Sequence, residues 1–437
     1  MDISVVLPVL NERDNLEVLI PRLTAVMKRE HLSFEILVVD GGSTDGTRKA
    51  AESMGARVLM ERRRGYAGAL QTGFDEALGD YVLTLDADLS HEPDFVAKLW
   101  RGRSSADIVI ASRYTRGGMA YGSTLRNLLS KVLNQWMRRL LSIPVKDVSS
   151  GFRLYHREAL QELSLETQNF EVLEEILIKS YARGYSVLEV PFTYFPRENG
   201  RSHVRLVRFG LDLLHTSFRL WKLRNSVNSA DYDDRAFYSI IPLQRYWQRR
   251  RHNITTVWAR GAARVLDVGC GSSLIIQSLN NAIGLDFSMG KLRFLRRRGI
   301  PLLRASAFAL PFKDCCFDCV ISSQVIEHVS DDEMLFREMF RVLAPGGKLI
   351  IGTPDYDTIG WRIIEPIYGF VMPGGYRDEH ITHYTRQSLI EILTRNGFVL
   401  EKTAYVFRSE LIMLLRKPEN EEVSASISAS SRTTKAA

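Results

Sequence analysis

Short apolar segments alternate with amphipathic ones along the first half of the chain. Five runs rich in Val and Ile have the length and composition of buried strands: ISVVLPVL, FEILVVD, ARVLMER, YVLTLDA and DIVIAS. Between them, the segments Leu16–Met27 and Tyr66–Leu78 place apolar residues at helical spacing. This alternation of strand and helix predicts a parallel α/β fold.

The alternation stops at a polar stretch, NSVNSAD at 225–231, and then begins again. The second series of apolar runs comprises ARVLDVGCG, AIGLDFS, FDCVISS and GKLIIGTPD, with helical patterns between them. We therefore predict two α/β domains, at 1–224 and 237–416, with a linker at 225–236. Residues 417–437 are largely Ser, Glu and Ala with almost nothing to bury, which predicts a disordered tail.

The composition is that of a globular protein with a basic surface. The 437 residues, 45% hydrophobic and 25% charged, favour two or three domains over one core. No apolar run reaches the roughly 18 to 20 residues of a membrane-spanning helix, and MDISVVLPVLNERDN meets polar residues too early for a signal peptide. The net charge of +7 predicts anionic partners: nucleic acid, phosphorylated substrates or acidic lipid.

The cysteines indicate a reducing compartment. The chain has four, and Cys316 and Cys319 have C-x-x-C spacing without the second ligand pair of a zinc site. We therefore expect free thiols and a cytoplasmic location.

Polar residues follow four predicted strands of the first domain at their carboxyl ends. They are Asn11 with Glu12, Asp40, Asp86 with Asp88, and Arg113. Ligands of open α/β sheets bind along this edge. Asp86 and Asp88 repel each other unless a cation lies between them, and their oxygens suit Mg²⁺ or Mn²⁺, which would in turn bind a diphosphate. The alternative is that the pair only begins a turn before a helix at Pro93, since D-x-D alone is common.

A series of motifs surrounds this pair in a fixed order. It comprises PVLNE at 8–12, VVDGGSTDGT at 38–47, the D-x-D, GYAGA at 65–69, ASRY at 111–114, DVSSGFR at 147–153 and RENGRS at 197–202. The first three resemble the opening of the inverting family-2 glycosyltransferases, and the whole series resembles the dolichyl-phosphate mannosyltransferases among them. The resemblance covers about half of the chain and implies a GT-A nucleotide-diphospho-sugar transferase fold.

The resemblance also implies a set of site residues. Asp88, Arg113 and Arg197 would be catalytic, and Asp86 and Asp88 would hold the metal. The residues implied for binding the nucleotide-sugar are Pro8, Leu10, Glu12, Asp40, Asp86, Ala87, Asp88, Ser90, Arg113, Arg197 and His203.

Three of these residues depart from the family pattern. Leu10 stands where the family often has Tyr, which predicts weaker base stacking. Ser90 replaces a Gln that helps to ligate the metal, so more water is expected there. His203 replaces a Lys, which makes the implied phosphate contact weaker or dependent on pH.

The implied reaction needs charge stabilisation more than proton transfer. Departure of the sugar from its nucleotide is favoured when a metal and arginines stabilise the diphosphate. A lipid phosphate acceptor is already ionised near neutral pH, so positioning should dominate and no strong base is expected. We expect inversion, giving a β-linked polyprenyl phosphate sugar. GDP-mannose is favoured as donor, and UDP-glucose remains possible.

Two segments bear on access to a lipid. Thr124–Leu141 and Val204–Arg224 both predict basic amphipathic helices. Such helices either pack on a core or lie in a membrane interface. If the acceptor is a lipid and these helices lie in a membrane interface, the protein is expected to be peripheral at the cytoplasmic face of a membrane.

The second domain begins with an apolar strand that turns through glycines. Gly269 and Gly271 follow Asp267, and Asp286 ends the next apolar run. Such a loop fits a nucleotide cofactor or a simple tight turn. The later motifs ALPF, FDCV, VIEHV and LAPGG and the segment Ser388–Phe398 resemble class I S-adenosylmethionine methyltransferases over Tyr238–Arg416.

This second resemblance implies a seven-stranded Rossmann-like sheet that binds S-adenosylmethionine. The residues implied for the cofactor are Asp267, Gly269, Gly271, Asp286 and Ser306. Ser306 replaces an Asp that often contacts adenine, and Ser273 replaces a third glycine, so affinity is expected to be lower. Glu327 and His328 belong to the strand-end signature and are not predicted to be bases.

The second domain also contains a histidine-rich loop. His380, His383 and Tyr384 either face an acceptor or lie at the surface.

The sequence therefore predicts a bifunctional enzyme whose methyl acceptor is a lipid-linked sugar or a glycan built from it. Three alternatives stay open: a soluble or protein acceptor for the sugar, a second domain that binds without catalysis, and an RNA methyltransferase. Against the last, the sequence contains no RNA-binding module, and no nucleic-acid partner is predicted.

Overall fold

The chain forms two compact units, Met1–Arg224 and Asn225–Ala437. The structure is a computed structural model, and it describes residues 1–161, 163–195, 206–330, 332–371 and 380–419. The predicted tail lies outside these residues beyond position 419.

The first unit is built on a seven-stranded sheet in the order β3-β2-β1-β4-β7-β5-β8. A pair of two-residue strands, β6 and β9, forms a separate small sheet. The strands are β1 Ile3–Val9, β2 Phe34–Asp40, β3 Arg57–Met60, β4 Tyr81–Thr84, β5 Ile108–Ser112, β6 Met119–Ala120, β7 Arg153–His156, β8 Val187–Pro191 and β9 Thr193–Tyr194. The five strands predicted from the apolar runs are confirmed.

Seven helices are described in this unit. They are α1 Arg13–Arg29, α2 Thr47–Ser53, α3 Tyr66–Glu76, α4 Val96–Gly102, α5 Thr124–Leu140, α6 Val172–Ala182 and α7 Leu206–Asn225, the last residue of which belongs to the second unit. The helices predicted at Leu16–Met27 and Tyr66–Leu78 are confirmed as α1 and α3. Helix α1 buries one face at Leu16, Leu19, Ile20, Leu23, Val26 and Met27, which is the spacing of a helix packed on a sheet.

The sheet directs four strand ends to one edge. Strand β1 pairs in parallel with β2 and with β4. Strand β7 runs antiparallel to both β4 and β5, so β4 and β5 point the same way. The carboxyl ends that precede Asn11, Asp40, Asp86 and Arg113 therefore lie along one edge, as the strand pattern predicted.

The expectation of an all-parallel sheet is wrong at β7. This strand is short, and its first residue is Arg153, whose side chain is fully buried. The guanidinium donates to the backbone oxygens of Leu173 at 2.7 Å and Val148 at 2.6 Å. Because a buried arginine interrupts the apolar pattern, the local sequence gave no strand signal at this position.

The second unit has a seven-stranded sheet in the order β12-β11-β10-β13-β14-β16-β15. Strand β16 runs antiparallel to both of its neighbours, β14 and β15, and the other four pairs are parallel. The strands are β10 Val265–Val268, β11 Ala282–Asp286, β12 Leu302–Arg304, β13 Phe317–Ser323, β14 Leu343–Pro354, β15 Val399–Val406 and β16 Glu410–Arg416. The predicted seven-stranded sheet is confirmed.

Seven further helices are described in the second unit. They are α8 Tyr232–Phe237, α9 Pro242–Ala259, α10 Leu274–Gln277, α11 Met289–Arg296, α12 Asp332–Val342, α13 Ile359–Val371 and α14 Arg386–Arg395. Helix α8 lies in the segment predicted to be a linker except for its last residue, Phe237, and it buries Tyr232 and Ala236. The sequence did not predict this helix because the segment is largely polar and the helix buries only Tyr232 and Ala236.

Among the residues that the structure describes, none of the helices combines the length and the apolar composition of a membrane span.

Candidate active sites

Asp40 ends β2 and is completely buried. Its carboxylate accepts hydrogen bonds from the backbone N–H groups of Gly42 at 3.2 Å and Ser43 at 3.1 Å, and also from the Ser43 hydroxyl. The guanidinium of Arg48 lies 3.4 Å away. These bonds compensate for the lost hydration of the carboxylate and fix its orientation at the sheet edge.

The turn after β1 is tied to the loop after β2. Asn11 has a positive φ of 57°, and its backbone N–H donates to the Ser43 hydroxyl at 2.8 Å. Its side-chain oxygen accepts from the Thr44 N–H at 2.9 Å, and the Glu12 N–H donates to the Thr47 hydroxyl at 3.0 Å. Leu10 is 48% exposed beside this turn. The residues predicted for the nucleoside pocket, including half-buried Pro8, therefore lie on the adjoining strands β1 and β2 and in the turn after β1.

The two aspartates after β4 are held by different partners. Asp86 is half-buried, and one of its carboxylate oxygens accepts from the Tyr66 hydroxyl at 3.2 Å. Asp88 is 5% exposed, and its Oδ1 accepts from the backbone N–H of Ser90 at 3.1 Å and from the Ser90 hydroxyl at 2.5 Å. Ala87 between them is buried. Ser90 thus orients the carboxylate of Asp88.

His91 and Tyr66 support this pair, and the sequence did not single them out for it. The Nδ1 atom of His91 accepts from the Asp86 N–H at 3.1 Å, and the ring stacks on Phe152 with centroids 5.0 Å apart. Burial and the Asp86 carboxylate raise the pKa of Tyr66 well above its usual value, so its hydroxyl stays protonated and donates.

Arg113 binds a buried carboxylate. Its Nε and Nη2 atoms donate to the two oxygens of Asp147 at 2.8 and 2.7 Å, and Nη2 also donates to Ser149 at 2.9 Å. Asp147 is fully buried, and the side chain of Arg113 is 18% exposed. The guanidinium predicted to contact a phosphate is therefore already held in place by its bidentate pair with Asp147.

Other acidic groups of this unit were missed. Glu61 follows β3, accepts from the Gly65 N–H at 3.1 Å, and has its pKa raised by burial. Burial also raises the pKa of Glu174 in α6 to about 7. Glu61 lies in a basic run and Glu174 in an apolar helix, so the sequence pattern did not mark either as a site residue. Arg197 and His203 lie outside the described residues.

The second unit has a cavity of about 470 Å³ beside its glycine loop. Asp267, Gly269 and Gly271 line it, together with Lys291 and His328. Gly269 and Gly271 have positive φ angles of 70° and 57°. A Cβ atom on Gly269 would lie 2.3 Å from Val325, so the close approach requires glycine. Three of the five residues predicted for the cofactor therefore border one cavity.

Asp286 organises this loop from the end of β11. Its carboxylate accepts from the backbone N–H groups of Gly271 at 2.8 Å and Ser288 at 2.7 Å. Ser273 caps α10 by accepting from the Ile275 N–H, which explains a hydroxyl where a glycine was expected. The Ser306 hydroxyl accepts a local hydrogen bond from the Phe308 N–H at 3.2 Å.

Asp267 and Asp233 add negative charge to the cavity. Burial, followed by the charges of Asp286 and Asp233, raises the pKa of Asp267 to about 7. Asp233 belongs to α8 and accepts from the backbone N–H and the hydroxyl of Ser272, each at 3.0 Å. The sequence missed Asp233 because it falls in the segment predicted to be a linker.

A second group of polar residues lies next to this cavity. Glu327, His328 and His380 place one potential ligand atom each within 4.8 Å of one another. Burial raises the pKa of Glu327 to about 8, and burial with the neighbouring His328 and His383 lowers the pKa of His380 to about 4. Tyr384 is buried, so the expectation of a surface loop is wrong at that residue.

Comparison with known proteins agrees with the two units. Residues 4–164 match the model of glycosyl transferase family 2, and residues 266–351 match a methyltransferase domain. A polyprenol monophosphomannose synthase from Mycolicibacterium smegmatis is 33% identical over 243 residues, which are 52% of this chain and 89% of that protein. The chain belongs to glycosyl transferase family 2.

Another relative of this family-2 glycosyltransferase is the dolichol-phosphate mannosyltransferase of Pyrococcus furiosus. It is 35% identical over 217 residues, and the match covers 47% of this chain but only 60% of the relative's length. Both relatives cover about half of this family-2 glycosyltransferase. The methyltransferase domain lies in its second half.

Two solved structures are also similar. Glucosyl-3-phosphoglycerate synthase from Mycobacterium tuberculosis, solved with Mn²⁺ and UDP-glucose, is 25% identical, with a TM-score of 0.42 and coverage of 49% of this chain and 78% of that one. A methyltransferase of Thermotoga maritima, described as a possible histamine N-methyltransferase, is 21% identical, with a TM-score of 0.34 and coverage of 42% and 98%.

Proposed function

We propose that the first unit transfers a sugar, with mannose favoured, from a nucleotide-sugar to a polyprenyl phosphate with inversion. The observation that supports this most strongly is the pair Asp86 and Asp88 at the end of β4, on the same sheet edge as Asp40. The names of the two relatives, a mannosyltransferase and a mannose synthase that act on polyprenol-type lipids, point to the same substrates.

The aspartate pair fits a divalent cation such as Mg²⁺ or Mn²⁺. Both side chains are fixed by neighbours, Asp86 by Tyr66 and Asp88 by Ser90, so their oxygens are preorganised. All available ligands are oxygen atoms, which these hard cations prefer. When bound, the cation would neutralise charge on the departing diphosphate.

The chain's own residues would position the donor and the acceptor phosphate. Asp40 and Glu12, anchored by the loops after β1 and β2, would hold the nucleoside. Arg113, held by Asp147, would present a fixed positive charge with little rotational entropy left to lose. Because a phosphate acceptor is already ionised, no general base is needed to remove a proton from it.

A comparison of acceptors and donors tests this reaction. The protein, given labelled GDP-mannose or UDP-glucose, is offered polyprenyl phosphate, free mannose and a peptide. We expect label in the lipid extract only, higher with GDP-mannose, and a β-linked product. Transfer to the sugar or the peptide in preference to the lipid would support the soluble-acceptor alternative, and an α-linked product would refute inversion.

Helix α5 supports attachment of this unit to a membrane surface. Leu125, Leu128, Leu129 and Val132 are 66%, 58%, 58% and 59% exposed, whereas Met137 of the same helix is buried in the core. Exposed Lys131 and Arg139 lie on the helix as well. The apolar face would enter the lipid while the cations meet anionic headgroups. We propose a peripheral location at the cytoplasmic face.

Helix α7 contributes to the same surface. Its Leu214 and Phe218 are 57% and 55% exposed, and its Ser217 donates to the sulfur of buried Met137 at 3.1 Å, which packs α7 against α5. The ammonium of Lys222 lies 4.9 Å from the ring centre of Phe218. Two adjacent helices thus expose apolar side chains next to basic ones.

For the second unit we propose S-adenosylmethionine-dependent methylation of a lipid-linked sugar or of a glycan built from it. The cavity fits the cofactor: its glycines allow close approach, and one oxygen of buried Asp267 has no hydrogen-bond partner among the described residues. That carboxylate and Asp286 would attract the cationic amino-acid part and hold the ribose. When bound, the cofactor supplies an activated methyl group.

The pH dependence of cofactor binding tests this site and the non-catalytic alternative. Burial raises the pKa of Asp267 to about 7, and a cationic ligand favours its charged form. Titration calorimetry should therefore show affinity for S-adenosylmethionine rising about eightfold from pH 6 to 7.5 as the carboxylate ionises. The Asp267→Asn variant should bind more weakly and without this dependence.

Two results would contradict this prediction. Absence of saturable binding would mean that the cavity no longer takes the cofactor, as the binding-module alternative holds. Tight binding that does not change with pH in the wild-type protein would exclude Asp267 as the group that attracts the cation.

A further inference from the structure

Glu327, His328 and His380 are brought together by main-chain bonds. The first two lie in the 3₁₀ turn Ile326–His328 that follows β13. The backbone N–H groups of Ile381 and Thr382 both donate to the carbonyl oxygen of Glu327, at 2.8 and 3.1 Å. The loop of His380 is therefore fixed against this turn by its backbone, and the imidazoles of His328 and His380 lie 5.0 Å apart between ring centres.

The carboxylate of Glu327 is completely buried and only half satisfied. Its Oε2 atom accepts a hydrogen bond from the Thr353 hydroxyl at 3.3 Å. Its Oε1 atom has no hydrogen-bond partner among the residues described by the structure. A buried carboxylate oxygen is costly unless a donor or a cation compensates for its lost hydration.

Tyr356 contacts the ring of His380. Its hydroxyl lies 3.4 Å from a carboxylate oxygen of Glu365 and 2.6 Å from Nδ1 of His380. In the tautomer in which Nδ1–H of His380 donates to the Tyr356 oxygen, Nε2 is the ring nitrogen that can ligate a metal. Histidines that ligate metals are held in this way, by an acceptor on the other ring nitrogen.

We propose that Glu327, His328 and His380 form a binding site for a divalent transition-metal ion of the zinc class. Two imidazoles and one carboxylate are ligands of Zn²⁺ and similar ions, whereas Mg²⁺ prefers oxygen alone. Ligand atoms of a tetrahedral zinc site lie about 3.4 Å apart at the usual bond lengths. The three donors, already within 4.8 Å, need only small side-chain rotations to reach it.

The site has the character of an open metal centre. Three protein ligands leave at least one coordination position for another molecule, as in catalytic rather than structural zinc sites. His328 also lines the cavity beside the glycine loop, with Ile381 next to it. A ligand oxygen in that cavity could complete the coordination. Metal binding itself does not depend on the proposed methyl transfer.

Equilibrium dialysis of the full chain against Zn²⁺ tests the site. The chain has no histidine tag and carries Asp88→Asn, which weakens the cation site of the first unit. We expect one tightly bound Zn²⁺. Glu327→Gln and His380→Gln should each weaken binding more than about a hundredfold, and Tyr356→Phe, which removes only an outer partner, about tenfold. With Co²⁺ as the probe, visible absorption should report imidazole ligation and disappear in His380→Gln.

Matched controls separate the site from adventitious binding and from misfolding. His252→Gln removes a half-buried imidazole outside the cluster, whose ring nitrogens bond Asn253 and Ser278, and it should bind Zn²⁺ like the wild type. Circular dichroism and the temperature of thermal unfolding report whether each variant is folded, and Glu327→Gln places no charge in the core. A wild-type affinity weaker than about 100 μM, or tight binding unchanged in a folded Glu327→Gln variant, would overturn the proposal.

Discussion

Replacing Asp88 by Asn lowers sugar transfer to polyprenyl phosphate by at least about a hundredfold, the size expected when a group that stabilises transition-state charge is lost. Asparagine keeps the shape of the side chain and its bond from Ser90, but it removes the negative charge that would hold the cation. The measurement is the initial rate of lipid-extractable label from GDP-mannose, with vesicle-bound acceptor.

Two controls accompany this variant. Asp94→Asn alters another aspartate of the same loop region, one that is 55% exposed and paired with Arg29 at 2.7 Å, and it should leave the rate unchanged. Asp286→Ala alters the cofactor loop of the second unit and should also leave sugar transfer intact. If the Asp88 variant stays within about threefold of the wild type, Asp88 does not stabilise the leaving group. A loss of transfer in Asp286→Ala would instead mean that the two active sites are not independent.

Replacing Leu128 and Leu129 together by Asp releases the protein from anionic vesicles. Both side chains are 58% exposed on α5, and withdrawing two leucines from lipid costs about 3 kcal/mol or more, which lowers partitioning by about a hundredfold. Flotation with vesicles of mixed neutral and anionic lipid measures this directly. High salt should weaken binding of the wild type as well, because Lys131 and Arg139 contribute by charge.

The control for this pair replaces two exposed apolar residues elsewhere on the unit. Val18 and Leu78 are 45% and 59% exposed, and the double Asp variant should float like the wild type. Transfer to a short, water-soluble polyprenyl phosphate should be equal in all three proteins, since none of these residues lies in the proposed site. If the Leu128 and Leu129 variant still floats, α5 does not attach the protein to lipid.

The sequence predicted the strands and the edge of the sheet because these depend on local pattern. Buried parallel strands are short, apolar and β-branched, and β1, β2 and β4 are mostly of that composition. The positions of Asp40 and Asp86 then follow from strand direction alone. Strand β7 was not predicted because its first residue, Arg153, is charged, and its burial depends on hydrogen bonds to the carbonyl groups of Val148 and Leu173 that form only in the fold.

The partners of the site residues could not be predicted in the same way. His91 supports Asp86 through a hydrogen bond and packs on Phe152, which is distant in sequence. Arg113 is bound to Asp147 across 34 residues. These interactions depend on how the sheet and its loops pack, so the local pattern of a single sequence does not predict them.

For helix α5, the sequence predicted the helix but not which of its apolar residues are buried. Its apolar residues fall on adjoining faces, and the pattern could not tell which of them would meet the core. In the structure Met137 and Leu141 are buried, while Leu125 and Val132 face outward. The distinction depends on where the helix packs, so only the fold separates a core stripe from a candidate lipid surface.

Removal of divalent metal tests the central claim, that the aspartate pair after β4 acts through a bound cation. The wild-type protein is treated with a strong chelator, and transfer of labelled mannose to polyprenyl phosphate is measured before and after adding Mg²⁺ or Mn²⁺. The account predicts that transfer falls to the level of the Asp88→Asn variant and returns with either ion. Full-speed transfer in the presence of the chelator would contradict it.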